Sequence, residues 1–95
     1  MNGQVSVDFY RASVPTPLRV GPYQFYMVMF DCRERQHVHV KGGGPGRLKL
    51  WLEPEIGVAA ISGYTARETA TITAIARGNR EMLVRRWIEE CGRQR

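Results

Sequence analysis

Two alternating runs dominate the hydrophobic pattern of this chain. His37–Lys41 (HVHVK) and Arg47–Glu53 (RLKLWLE) each switch between polar and apolar at every residue, the period of a half-buried strand. Gly42-Gly43-Gly44-Pro45-Gly46 joins them, so together they predict a β-hairpin. If pairing is symmetric about Gly44, Lys41 faces Arg47, His39 faces Lys49 and His37 faces Trp51. Those six side chains then leave one face of the sheet. Val38, Val40, Leu48, Leu50 and Leu52 leave the other, as a core face. A slip of one residue would break this pairing while leaving each strand's own alternation intact.

Shorter signals flank the hairpin. Leu18–Val20 is short and β-prone, and Gly21-Pro22 marks a turn. Tyr23–Phe30 (YQFYMVMF) is apolar on both faces, which predicts an interior strand covered on both sides. Asp31–Gln36 is a polar connection, and Pro54 ends the second hairpin strand. The apolar run IGVAAI, residues 56–61, fits either a strand or a helical turn. From Thr65 the period changes to 3.6. Thr65-Ala66-Arg67-Glu68 is a capping-box pattern, with Tyr64 placed for a hydrophobic staple. Ile72, Ile75, Ala76, Asn79, Met82, Leu83 and Trp87 then keep one helical stripe. That predicts one long helix over residues 66–91, or two helices kinked near Gly78–Asn79.

Strands first and helix last indicate an α+β fold: a three- to four-stranded antiparallel sheet with a long C-terminal helix, kinked or straight, packed on one face. Residues 1–14 read as a leader, in which Val5, Val7 and Phe9 alternate as in a short strand. Residues 15–92 form the one domain that 95 residues accommodate.

Composition adds constraints. Hydrophobic residues make up 43%, enough for a folded core. No apolar run is long enough to span a bilayer, so no membrane association is expected. No charged segment followed by an apolar one opens the chain, so no secretory signal is expected and the location read from the sequence is cytoplasmic. On that basis Cys32 and Cys91, which match no CxxC spacing, are expected to be reduced. The 14 basic residues, of which all but Lys41 and Lys49 are Arg, outnumber nine acidic ones and leave +5. The excess favours an anionic partner, although GC-rich codon usage also enriches arginine.

His37 and His39 lie two apart on a strand, so both imidazoles point to one side. That spacing suits an acid/base pair or two metal ligands. A metal needs a third ligand, and Lys41, Arg47 and Lys49 stand nearby instead, so an anion fits the surroundings better. No metal site and no cofactor are expected. The glycine loop is no Walker A motif, because no GKS or GKT follows it. It serves as a hairpin tip, or cradles phosphate through its N–H groups. HVHVK is similar to the alternating histidines of the histidine-triad nucleotide hydrolases. Lys41 at the third position and the terminal helix exclude that family. No Ser-His-Asp, Cys-His or paired-carboxylate constellation is evident.

An ordered set of motifs carries a second resemblance. Pro17-Leu18-Arg19-Val20-Gly21-Pro22-Tyr23, His37-Val38-His39-Val40, Leu48-Lys49-Leu50-Trp51-Leu52-Glu53-Pro54, Gly63-Tyr64, Asn79-Arg80 and Trp87 resemble the small bacterial family known as domain of unknown function 4160. Arg35-Gln36 stands where that family has a proline pair. The family has no established activity. Its members resemble, in size and gene setting, components of toxin–antitoxin-type pairs.

The expectation from residues and resemblance together is a protein that binds or cleaves RNA as a toxin-like member of such a pair. His37 and His39 are its candidate catalytic groups, needing no metal if imidazoles move the protons. Arg19, Lys41, Arg47 and Lys49 would hold phosphate, and Trp51 would stack a base. An RNA-cleaving endoribonuclease is therefore one outcome. The alternatives are a non-enzymatic module binding a small partner protein, antitoxin-like or a second copy, and a metal-binding protein using the HVHV pair.

Overall fold

The computed structural model describes residues 16–28 and 32–92. The expected leader, with its short strand, lies outside them, as do Met29 and Phe30 of the Tyr23–Phe30 run. Five strands form one antiparallel sheet in sequential order: β1 (Leu18–Val20), β2 (Tyr23–Tyr26), β3 (His37–Lys41), β4 (Arg47–Trp51) and β5 (Gly57–Ser62). Two helices follow, α1 (Ala66–Gly78) and α2 (Arg80–Gly92). The α+β class is as expected.

The β3–β4 register pairs His37 with Trp51, His39 with Lys49 and Lys41 with Arg47. Alternation sends Phe25, Val38, Val40, Leu48 and Leu50 inward, where all are buried. They share one core with Ile72, Ala76, Leu83 and Trp87 from the helices. β2 is interior in strand order but covered on one side: Phe25 and Met27 are buried, while Tyr26 and Val28 are only half-buried.

The expected strand count is corrected. The sheet has five strands, not three or four, because residues 57–62 form an edge strand on β4. Lys49 pairs with Ala60 and Leu50 with Val58, so Ala59 is the extra residue of a bulge. The small residues of this run carry no alternation, which left it open between a strand and a helical turn; the structure makes it a strand. Of the two helical forms expected, the structure takes the second, two helices that part at Asn79, and not one long helix. Asn79 leaves helical geometry at φ −121° and ψ 15°. Its Nδ2 donates to the Ile75 carbonyl at 2.8 Å, and its own carbonyl accepts the Leu83 N–H at 3.0 Å. One residue thus closes α1 and opens α2, the work asparagine does at helix ends. The capping box is present: Thr65 Oγ1 accepts the Glu68 N–H at 3.0 Å, and Glu68 Oε1 accepts the Thr65 N–H at 2.8 Å.

The two ends of the glycine loop are packed, while Gly43, Gly44 and Pro45 at its tip are exposed. Tyr64 donates its hydroxyl to the Gly42 carbonyl at 2.8 Å. Burial raises the Tyr64 phenol above its ordinary pKa, and Tyr23 adds in the same direction, so it remains a donor at neutral pH. Gly46 lies against the Tyr64 ring, and Gly42 adopts φ +110° with Pro22 directly beside it. A Cβ at residue 42 would run into the Pro22 carbonyl oxygen. Gly42→Ala is therefore expected to lower unfolding free energy by about 1–3 kcal/mol in a urea titration.

Candidate functional site

Opposite the core, the register sets out a grid of side chains. One row crosses all five strands: Arg19, Gln24, Lys41, Arg47 and Ser62. At about 4.8 Å between strands, the row is roughly 19 Å wide. The next row is Tyr26, His39, Lys49 and Ala60, and the third is His37, Trp51 and Gly57. Four cations stand in this grid, and none of its strand positions is acidic. Lys41 and Arg47 are direct cross-strand partners, a like-charge placement that costs stability.

Aromatic rings lie between the cations. Tyr26 stacks on His39, with centroids 5.3 Å apart and planes at 25°. Lys41 Nζ sits 5.1 Å from the Tyr26 ring centre, and Lys49 Nζ lies 5.1 Å from that of Trp51. Arg19 donates to the Gln24 amide oxygen at 2.9 and 2.6 Å, with that amide oriented by its partners. An open groove of about 300 Å³ runs through the middle, lined by Tyr26, His39, Arg47, Lys49, Ala60 and Ser62 among others.

The two histidines part company here. His39 is half-buried beside the groove. His37 is 0% exposed. Its ring is enclosed by those of His39 at 5.0 Å, Trp87 at 5.0 Å and Trp51 at 6.1 Å. Its Nδ1 lies 2.8 Å from the Arg35 carbonyl. A carbonyl can only accept, so Nδ1 carries the proton. His37 thus ties the chain before β3 to the core, and a ligand on the sheet face meets His39 first. His37→Ala would leave that carbonyl unpaired and open a gap beside Trp87. The expected cost is about 1–3 kcal/mol by chemical denaturation, against less for His39→Ala.

Sequence reasoning missed three contributors. Tyr26 was assigned to an apolar strand, although its pairing with His39 follows once β2 is laid beside β3. Glu34 and Arg35 belong to an irregular connection with no periodic signal. Glu34 Oε1 binds Lys49 Nζ at 2.8 Å, and the Arg35 guanidinium lies 4.6 Å above Trp51. Arg35 also donates to the Glu53 carbonyl, through Nε at 2.8 Å and through Nη2. Among the described residues, Glu34 is the one carboxylate paired with a grid cation.

The cysteines are not reduced as expected: Cys32 and Cys91 form a disulfide, with Cα atoms 5.7 Å apart across 59 residues of sequence. Such a separation gives no local signal; folding brings the start of the 32–36 segment to the last turn of α2. Among the described residues, no group of three or more His, Cys, Asp and Glu is placed to hold a metal ion. No helix among them is long and apolar enough to cross a membrane.

A sequential five-stranded meander, two helices on one face and a cationic, aromatic opposite face define the class of this protein. The chain matches Domain of unknown function (DUF4160) over residues 23–88 and belongs to that family. No curated protein and no solved structure matches it.

Proposed function

We propose that this protein binds RNA in single-stranded form across the outward face of its sheet. One observation carries the reading: Lys41 and Arg47 are juxtaposed on neighbouring strands, with Arg19 and Lys49 in the same grid and no acidic strand position among them. Such a face is stabilised when an anion neutralises it. Rings among the cations suit unstacked bases, which pair stacking with backbone neutralisation on open sheets. The groove beside Tyr26 and His39 offers room for a base, with Arg47, Lys49 and Ser62 at its rim.

Binding is the core of the reading, and cleavage is an extension of it. The buried His37 orients the face, and His39 is the imidazole within reach of a phosphodiester. A toxin-like role in a two-gene pair would act through this same face. It is tested by growth arrest in the native host with and without a His37/His39 double substitution. Fluorescence anisotropy with a labelled RNA of about ten nucleotides tests binding itself. Saturable binding is expected, and in protein with its cysteines reduced Trp51→Ala weakens it by about 1–3 kcal/mol, the worth of one stacked base. Absence of saturable binding at about 50 mM salt would overturn the reading.

A second reading rests on a different surface. β5 is an edge strand without charge, and Val58 and Ile61 on it are 48% and 47% exposed. Unpaired edges of this kind accept a strand from another chain. A small partner protein or a second copy that co-purifies stoichiometrically, with no nucleic acid bound, would favour a protein-interaction module.

A further inference from the structure

Residues 32–36 cross the end of the outward face like a strap. At one end the strap is cross-linked to α2 through Cys32–Cys91. At the other it joins β3, where the Gln36 carbonyl accepts the Leu52 N–H at 2.9 Å. Between these anchors, Glu34 neutralises Lys49 and Arg35 covers the Trp51 ring. The strap therefore occupies two of the groups that the RNA reading assigns to a ligand.

The cross-link is within reach of a reagent. Cys32 and Cys91 are both half-buried and line a groove of about 290 Å³ with Gln36, Trp87, Ile88 and Gly92. Gln36 lines that groove as a residue, while its Oε1 is buried and without a hydrogen-bond partner among the described residues.

We propose that Cys32–Cys91 is a thiol-exchange site, and that its reduction by a thiol such as glutathione, or by a dithiol, releases the strap and uncovers Lys49 and Trp51. A thiolate of the reductant attacks one cysteine sulfur. A mixed disulfide forms, and the other cysteine leaves as a thiolate that takes up a proton. A second reductant thiolate then attacks the reductant-side sulfur of the mixed disulfide, and the remaining cysteine leaves and is protonated. Two electrons pass to the protein, and the reductant departs as its own disulfide. Without the cross-link, the buried His37 contact to the Arg35 carbonyl still anchors the strap next to β3, and what holds its remaining side chains is more exposed: the Glu34–Lys49 ion pair, with side chains 46% and 24% exposed, and the Arg35 bonds to Glu53. Contacts of this kind open in local fluctuations.

The first half of this inference stands alone, and its effect on RNA rests on the binding reading above. The test compares air-oxidised protein with protein reduced by dithiothreitol or glutathione, with cysteine state followed by alkylation and mass. Amide exchange at Leu52 reports the strap, and anisotropy reports RNA affinity. Reduction is expected to speed Leu52 exchange and to raise RNA affinity about ten-fold, one stacked base regained. Cys91→Ser is expected to match the reduced protein under both conditions. Cys32→Ser, outside the helix, supplies the same comparison if the helix variant folds poorly. Equal RNA affinity of oxidised and reduced protein overturns the inference and leaves the RNA reading standing. If neither form binds RNA, the RNA reading falls. Leu52 exchange then decides the strap alone, and unchanged protection after reduction overturns it.

Discussion

Trp87→Ala is expected to lower the unfolding free energy by about 3–5 kcal/mol, the range for removing a buried indole. A domain of this size holds about 5–15 kcal/mol in total, so the variant approaches the threshold of folding. Trp87 is 5% exposed and belongs to the single core that the sheet shares with both helices. Its ring also closes over His37 at 5.0 Å, so its loss exposes a buried polar ring as well as opening a cavity. The neighbouring Ile88 is 57% exposed, and Ile88→Ala is expected to change stability by less than about 0.5 kcal/mol. Urea denaturation of the two variants reads the rotational setting of α2 directly. Equal effects at residues 87 and 88 would show that α2 faces the sheet differently.

The combined replacement Lys41→Ala, Arg47→Ala and Lys49→Ala is expected to abolish most RNA affinity while leaving the fold intact. It takes the formal charge from +5 to +2 by removing three cations from one face. For single strands each phosphate contact adds about 0.7 to the slope of log affinity against log salt, so four cations predict a parent slope near −3. Affinity of the parent should then fall roughly 60-fold between about 50 and 200 mM salt, and the variant's slope should shrink to about −1. Stability is the control. The substitution removes the Lys41–Arg47 repulsion and the exposed Lys49–Glu34 pair, each a small contribution. The variant should therefore melt close to the parent. A parent slope near zero, or a variant that binds as the parent does, would remove the sheet face as the RNA site.

The hairpin was legible because everything that sets it is local. Two alternating runs and the loop between them lie within one short stretch, so pairing about Gly44 follows from spacing alone. The capping box at Thr65 was legible for the same reason. Asn79 was harder to read. It lies in phase with the apolar stripe, so the pattern runs on across the residue that divides the helices. β5 lacks alternation, and only its place against β4 makes it a strand.

Accessibility was the larger omission. His37 and His39 are equivalent in sequence, two apart on one strand and on one side of it. Trp87, fifty residues further on, and the Arg35 carbonyl make one of them a buried anchor and leave the other beside a groove. The Cys32–Cys91 bond and the strap it holds are likewise meetings of distant segments. The sequence by itself determined which side chains share the outward face, because strand alternation and a tight loop act over a few residues. Only the tertiary structure decided which of them a ligand can reach, because burial depends on chain segments that come together only when the whole core closes.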